Sequence, residues 1–406
     1  MSEGSAVSES PTASGALIEK PVHTGRLFAL LALVLAAANL RLAVTSIGPV
    51  LAEIRQGLHM STAIAGLLTS IPVICFAVVG LFAPRLARRF SAGVVIATGL
   101  VVLTAGLAVR PFAGSVAGFL ALTVVALAGI AVVNILLPMV VKAWFPDRVG
   151  AVTGLYTLAL NLGATIAAAA TVPIAGALGD WRLGLAAWAV TAAVALPPWL
   201  MLGRRRVAPA GDPPAGPNVR IARHPIAWAL AFYFGLQSTS AYVIIGWLPQ
   251  IYRDAGLSAE MAGLLFAVTS FLGVPLPLAL SALAGRMRRQ SGIAAGLGLF
   301  GIAGYAGLWA APAAAPWLWA VLLGVVNCAF PLALTMIALR GRTPATVVRL
   351  SAFAQSVGYL LAIPGPILIG ILHDRTDGWR LPLALMVLLM IPQIAAGVAA
   401  GRDRQV

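Results

Sequence analysis

Long apolar runs and short polar breaks alternate along almost the whole chain. Twelve runs are long enough to cross a bilayer as helices, for which roughly 20 apolar residues suffice. They fall near 27–50 (helix 1), 61–83 (helix 2), 92–110 (helix 3), 113–140 (helix 4), 150–176 (helix 5), 183–203 (helix 6), 225–249 (helix 7), 259–283 (helix 8), 292–311 (helix 9), 315–339 (helix 10), 350–372 (helix 11) and 381–401 (helix 12). Backbone groups in lipid must be satisfied within the segment, so each run predicts a helix rather than an open strand. The longest polar interruption, RRRVAPAGDPPAGPNVRIARH at 204–224, separates six runs from six and reads as a linker. The expected organisation is a disordered cytoplasmic tail (1–26), a six-helix unit (27–203), the cytoplasmic linker (204–224), a second six-helix unit (225–401) and a short cytoplasmic tail (402–406). Residues 1–24 lack the basic, apolar and cleavage regions of a signal peptide, so helix 1 is expected to be retained.

The two units repeat each other. Ser61-x-x-x-Ala65-Gly66-Leu67-Leu68 opens helix 2, and Ser258-x-x-x-Ala262-Gly263-Leu264-Leu265 opens helix 8. Val132-Val133-Asn134-x-x-x-Pro138 in helix 4 matches Val325-Val326-Asn327-x-x-x-Pro331 in helix 10, and Trp181-Arg182-Leu183 matches Trp379-Arg380-Leu381. These matches keep one order at offsets of 197, 193 and 198 residues. They therefore describe a parallel repeat, helix n answering helix n+6 about an axis along the membrane normal.

Composition supports the membrane reading: 60% of the 406 residues are hydrophobic and 10% are charged, against about 25% charged in soluble domains. The net charge of +15 alone would suggest nucleic acid. Its placement says otherwise. With both termini cytoplasmic, 20 of 27 Lys and Arg fall on the inner side, six in outer loops (Arg110 among them), and one, Arg41, inside helix 1. The basic excess is thus a topology signal and a contact for anionic lipids on the cytoplasmic face; no nucleic acid partner is needed. Heavy Ala and Arg usage suggests a bacterial chain, hence the inner membrane. Cys75 and Cys328 lie in apolar runs and read as packing residues. Trp144, Trp181, Trp199, Trp228, Trp317 and Trp379, near helix ends, read as interfacial anchors.

Polar groups inside the spans carry the candidate chemistry. A central Arg costs about 2.5–3.5 kcal/mol on insertion scales, so Arg41 needs a compensating role. A structural Arg bonded to backbone carbonyls would meet that need. A fixed cation for an anionic or strongly dipolar solute is the favoured reading, because no acidic residue or histidine lies deep in any run. Asn39, Thr45, Asn134, Tyr156, Asn161, Gln237, Tyr242, Asn327, Gln355 and Tyr359 are the candidate solute contacts, although Asn and Gln also join helices. By the repeat offset Arg41 answers Gln237 or Ser238. Arg85, Arg88 and Arg89, expected in a loop after helix 2, read as topology determinants that also brace an inner gate. No nucleotide-binding loop, metal-ligand spacing or catalytic cluster is present, so no cofactor is expected and an enzyme is disfavoured. A gradient-driven carrier, with a coupling proton as a possible second partner and a monomer as the expected state, fits better; an exporter of a small toxic compound is the alternative, and a sensor derived from a transporter is disfavoured.

Over 27–401 the chain resembles the major facilitator superfamily. Its signature between helices 2 and 3, Gly-x-Leu-x-Asp-Arg-x-Gly-Arg, is matched in part by GLFAPRLARR from Gly80 to Arg89, with Pro84 where Asp is expected. Within that superfamily Asn39-Leu40-Arg41 with Thr45-Ser46-Ile47-Gly48-Pro49, Asn134-Ile135-Leu136-Leu137-Pro138, Gly154-Leu155-Tyr156, Gly235-Leu236-Gln237-Ser238 and Gln355-x-x-Gly358-Tyr359 look most like the branch of cyanate and 2-nitroimidazole transporters. The resemblance implies an all-α membrane protein of twelve transmembrane helices in two pseudo-symmetric six-helix bundles, the major facilitator fold. It further implies a cavity lined mainly by helices 1, 4, 7 and 10, with helices 2, 5, 8 and 11 at the bundle interface, and a small anionic or nitro-bearing solute carried by alternating access.

Overall fold

The computed structural model describes residues 23–202 and 221–405. The expected tail up to residue 22 and the linker from 203 to 220 lie outside the described residues. Twelve helical spans are long and apolar enough to cross a membrane: Gly25–Leu58, Thr62–Val79, Ala92–Phe112, Val116–Trp144, Pro146–Leu178, Trp181–Leu202, Pro225–Asp254, Ala259–Ala284, Ser291–Ala310, Pro316–Arg340, Thr346–Thr376 and Arg380–Ala400. They are helices 1 to 12 in order.

The sequence repeats have physical roles. Ser61 and Ser258 are N-caps, their hydroxyls accepting from the backbone N–H of Ile64 (3.3 Å) and Met261 (3.2 Å) at the starts of helices 2 and 8. Trp181 packs on Gly57 at the end of helix 1, and Trp379 donates to Asp254 at the end of helix 7. Packing repeats as well. Helix pairs 1–5, 1–6, 2–4, 3–4 and 3–6 of the first half recur as 7–11, 7–12, 8–10, 9–10 and 9–12. The halves meet through helix 2 against 11, helix 5 against 8, and helix 1 against 7.

Some local expectations change. Helix 1 is already helical at His23, the first described residue, ahead of the expected start at 27. The segment holding Arg85, Arg88 and Arg89 is not a loop: helix 2 runs unbroken from Thr62 to Phe90, and the turn into helix 3 is made at Ser91, which has φ 68°. Arg89 lies over the Phe90 ring at 5.3 Å. Several spans break where proline removes a donor. Helix 1 gives way to a 3-10 turn at Gly48–Val50, helix 8 turns between Phe271 and Pro275, and helix 11 bends at Ile363 before Pro364. Helix 10 breaks at Asn327, although the matching Asn134 sits in an unbroken helix 4. Trp199 is no interfacial anchor; it is fully buried, donates to the Ala32 carbonyl at 2.8 Å and stacks on Trp144 at 5.7 Å.

One end of the molecule is drawn together across the two halves. The chain crosses between spans there at residues 59–61, 179–180, 255–258 and 377–379; we call it the far end, opposite the end holding the described N- and C-terminal residues. Arg253 pairs with Glu53 at 2.8 Å and donates to the Pro49 carbonyl at 3.3 Å. Asp374 accepts from the Ala63 N–H at 2.8 Å, at the N-terminus of helix 2, where a carboxylate suits the unpaired N–H groups. Helices 2 and 11 approach so closely that a Cβ on Gly66 would lie 2.6 Å from the Pro366 carbonyl, and one on Gly370 would strike the Thr62 carbonyl. Deeper in, Ser70 donates to the Ile363 carbonyl at 3.0 Å.

A guanidinium between the two halves

Arg41 is exposed, although residues 42–50 after it are buried without interruption. Lipid is not what it meets. Its Nη1 donates to Asn161 Oδ1 on helix 5 at 3.2 Å, and its charge acts on the hydroxyls of Tyr242 and Tyr359 on helices 7 and 11. The guanidinium therefore stands between the halves.

An aromatic wall completes the surroundings. Tyr359 stacks on Phe76 of helix 2 at 6.1 Å and meets Phe234 of helix 7 edge-on at 5.0 Å. Tyr242, Tyr359, Gln355, Tyr156 and Asn134 are all half-buried. Gln355 donates to Ser351 within helix 11 at 2.7 Å. Asn327 is half-buried too, and its Oδ1 has no protein partner among the described residues. A solute at Arg41 would thus meet one fixed cation, two phenol hydroxyls and aromatic faces. Among the described residues no carboxylate pairs with Arg41, and no cluster of His, Cys, Asp or Glu is able to hold a metal.

Arg41 has a neutral protein partner in Asn161. The Asn161 Nδ2 donates to its own helix at the Thr157 carbonyl (3.1 Å) and to the Gly273 carbonyl of helix 8 (2.9 Å). Gly273 is available for a sequence reason. Its helical partner four residues on is Pro277, which has no N–H. The amide orientation follows from these bonds, since a flip would aim NH₂ at the guanidinium.

Three expected site residues lie elsewhere. Asn39 is buried between helices 1 and 6, donating to Leu35 (2.9 Å) and Thr191 (3.2 Å) carbonyls and accepting from the Thr191 hydroxyl (2.8 Å). Thr45 donates back to the Arg41 carbonyl at 3.0 Å and reaches the Ala164 carbonyl on helix 5 at 3.3 Å. Gln237 is buried against Ser238, at 2.9 Å. Asn39 and Thr45 join helix 1 to helices 6 and 5, whereas Gln237 bonds within helix 7. Sequence reasoning also missed Phe76, the Gly273 carbonyl and Arg110. Expected in an outer loop, Arg110 is fully buried in the last turns of helix 3 and donates to the Ala43 carbonyl at 3.2 Å. The apolar run of helix 3 extends to Phe112, which was the available signal.

Two similar helical halves around a guarded polar centre define a membrane carrier. The sequence profile of the Major Facilitator Superfamily matches residues 31–344. The chain belongs to this superfamily and is a transporter, not an enzyme. It is 35% identical to an uncharacterised transporter of Bacillus subtilis (strain 168), over 91% of this chain and 92% of the relative. Identity to the 2-nitroimidazole transporter of Escherichia coli (strain K12) is 34%, over 94% and 97%. To the cyanate transport protein CynX of the same organism it is 31%, over 89% and 94%. A solved bacterial homologue of the human lysosomal transporter Spinster shares the fold at a TM-score of 0.80 and 17% identity, covering 95% of this chain and all of that one.

Proposed function

We propose that the protein carries a small anionic or nitro-bearing solute, cyanate-like or nitroimidazole-like, across the bacterial inner membrane by alternating access. The observation that carries this reading is Arg41, an accessible cation between the halves with an uncharged amide as its bonded partner. Cyanate is a compact anion, and a nitro group offers two partly negative oxygens side by side. Either suits the planar donor fork of a guanidinium. The names of the two Escherichia coli relatives support the same solute class.

In this reading Arg41 anchors the solute, Tyr242 and Tyr359 receive it from the second half, and Gln355, Asn134, Asn327 and Tyr156 tune selectivity. The terminal end is cytoplasmic, as the excess of Lys and Arg there directs, and anionic lipid headgroups contact it. The closed far end then faces outward and the site opens inward. The carrier works as a monomer, as a secondary active transporter powered by a gradient rather than by ATP. A coupling proton would find its titratable groups at the far end, where Glu53, Asp254, His373 and Asp374 gather.

The test is uptake of labelled cyanate and 2-nitroimidazole into proteoliposomes by wild type and Arg41→Ala. Saturable uptake of at least one solute is expected from wild type and none above empty vesicles from the variant, with equal protein in the membrane. Uptake at the wild-type rate by Arg41→Ala would remove Arg41 from the site.

A further inference from the structure

Asn161 does more than line the opening. It is buried, and its side chain makes three bonds: Oδ1 accepts from Arg41, while Nδ2 donates to its own helix at Thr157 and across to the other half at Gly273. Single-site binding needs no such arrangement. A carrier that must also return empty does need one, because its site cation would otherwise be enclosed between the closed halves with its donors unmet.

We propose that Asn161 is a stand-in for the solute in the empty carrier, supplying the oxygen that Arg41 loses when solute leaves and tying that state to helix 8 of the opposite half. This rests on Arg41 being the solute cation. The chemistry suits exchange of one partner for another. The amide oxygen engages Nη1 only, so most of the five guanidinium N–H donors stay available to an incoming anion. An anionic acceptor then outcompetes the neutral amide, because it adds a Coulomb attraction to the guanidinium that the amide lacks. The bond to Gly273 is local and conditional, existing because Pro277 cannot supply the helical N–H. Asn161 is therefore a positioning residue acting through Arg41.

Net flux and exchange separate this role from a merely structural one. Net uptake requires the empty carrier to return; exchange of cyanate for cyanate does not. In proteoliposomes, Asn161→Ala is expected to lower the ratio of net cyanate uptake to cyanate exchange about tenfold relative to wild type. Asn161→Asp places a permanent counterion on Arg41 and is expected to abolish cyanate binding by purified protein in isothermal titration. Net uptake and exchange falling together in Asn161→Ala, or wild-type cyanate affinity in Asn161→Asp, would overturn the proposal. Failure of Arg41 itself looks different: cyanate binding absent from wild type, or retained in Arg41→Ala, removes the site and the stand-in together.

Discussion

Arg41 and Arg110 both bring a guanidinium to the same stretch of helix 1, and they solve its burial in opposite ways. Arg110 is fully buried and bonds a backbone oxygen, the Ala43 carbonyl, while its Nε and Nη1 find no partner among the described residues. That carbonyl lacks its helical N–H partner because helix 1 tightens at its end, the Ile47 N–H turning to Val44 instead, and it accepts also from the Ser46 hydroxyl at 3.4 Å. Arg41, two residues before Ala43, is exposed, bonds one side-chain amide and faces aromatic hydroxyls from the opposite half. An arginine buried on a backbone carbonyl is closed to a ligand. One left accessible, on a partner that a ligand is able to displace, is equipped to bind. Arg340 sides with Arg110: it is buried, and it donates to the Ala400 and Gly401 carbonyls at 3.1 Å and to the Gln290 side chain.

The largest expected effect that would break this comparison comes from Gly66→Leu. A side chain there meets the backbone of helix 11, so the far end should fail to close. Uptake should be lost although the protein still inserts, and spin labels at Gln56 and Glu260 should report a lengthened separation across the far end. Next comes Arg110→Met, which removes a buried guanidinium with two unpartnered nitrogens, Nε and Nη1. Each such group costs about 1–3 kcal/mol, and apolar replacements of buried charges are often neutral or stabilising. Its thermal midpoint should therefore equal or exceed that of wild type, with transport retained. Asn39→Ala should act the other way, lowering stability by about 0.6–1.7 kcal/mol in denaturation while leaving cyanate affinity unchanged. The smallest effect belongs to Glu53→Gln. The half-buried Glu53–Arg253 pair is worth about 0.2–1 kcal/mol, so only a modest shift toward longer label separations is expected.

The spans and their twofold repeat were legible in the sequence, because apolar length and capping serines are local signals. The faces of the helices were less so. Asn39 and Arg41 stand two residues apart and hence about 200° around a helix, so once Arg41 faces the other half, Asn39 must face helix 6. Choosing between them requires knowing which side the second half occupies, and that is a tertiary fact. The same holds for Gln237 against Tyr242 on helix 7. Arg110 was misplaced because a charge near the end of an apolar run looks like a loop residue until a neighbouring helix offers it a carbonyl. The Gly273 carbonyl was hidden for a different reason: backbone oxygens do not appear as residue types, and only Pro277 hinted that one was unpaired.

The most direct measurement titrates cyanate calorimetrically into purified wild type, Arg41→Met and Arg110→Met. Both substitutions remove a positive charge on or beside helix 1 and keep an unbranched stem. The account predicts heat of binding for wild type and Arg110→Met with similar Kd, and none for Arg41→Met. Wild-type affinity in Arg41→Met, or loss of binding in Arg110→Met with Arg41 intact, would contradict it.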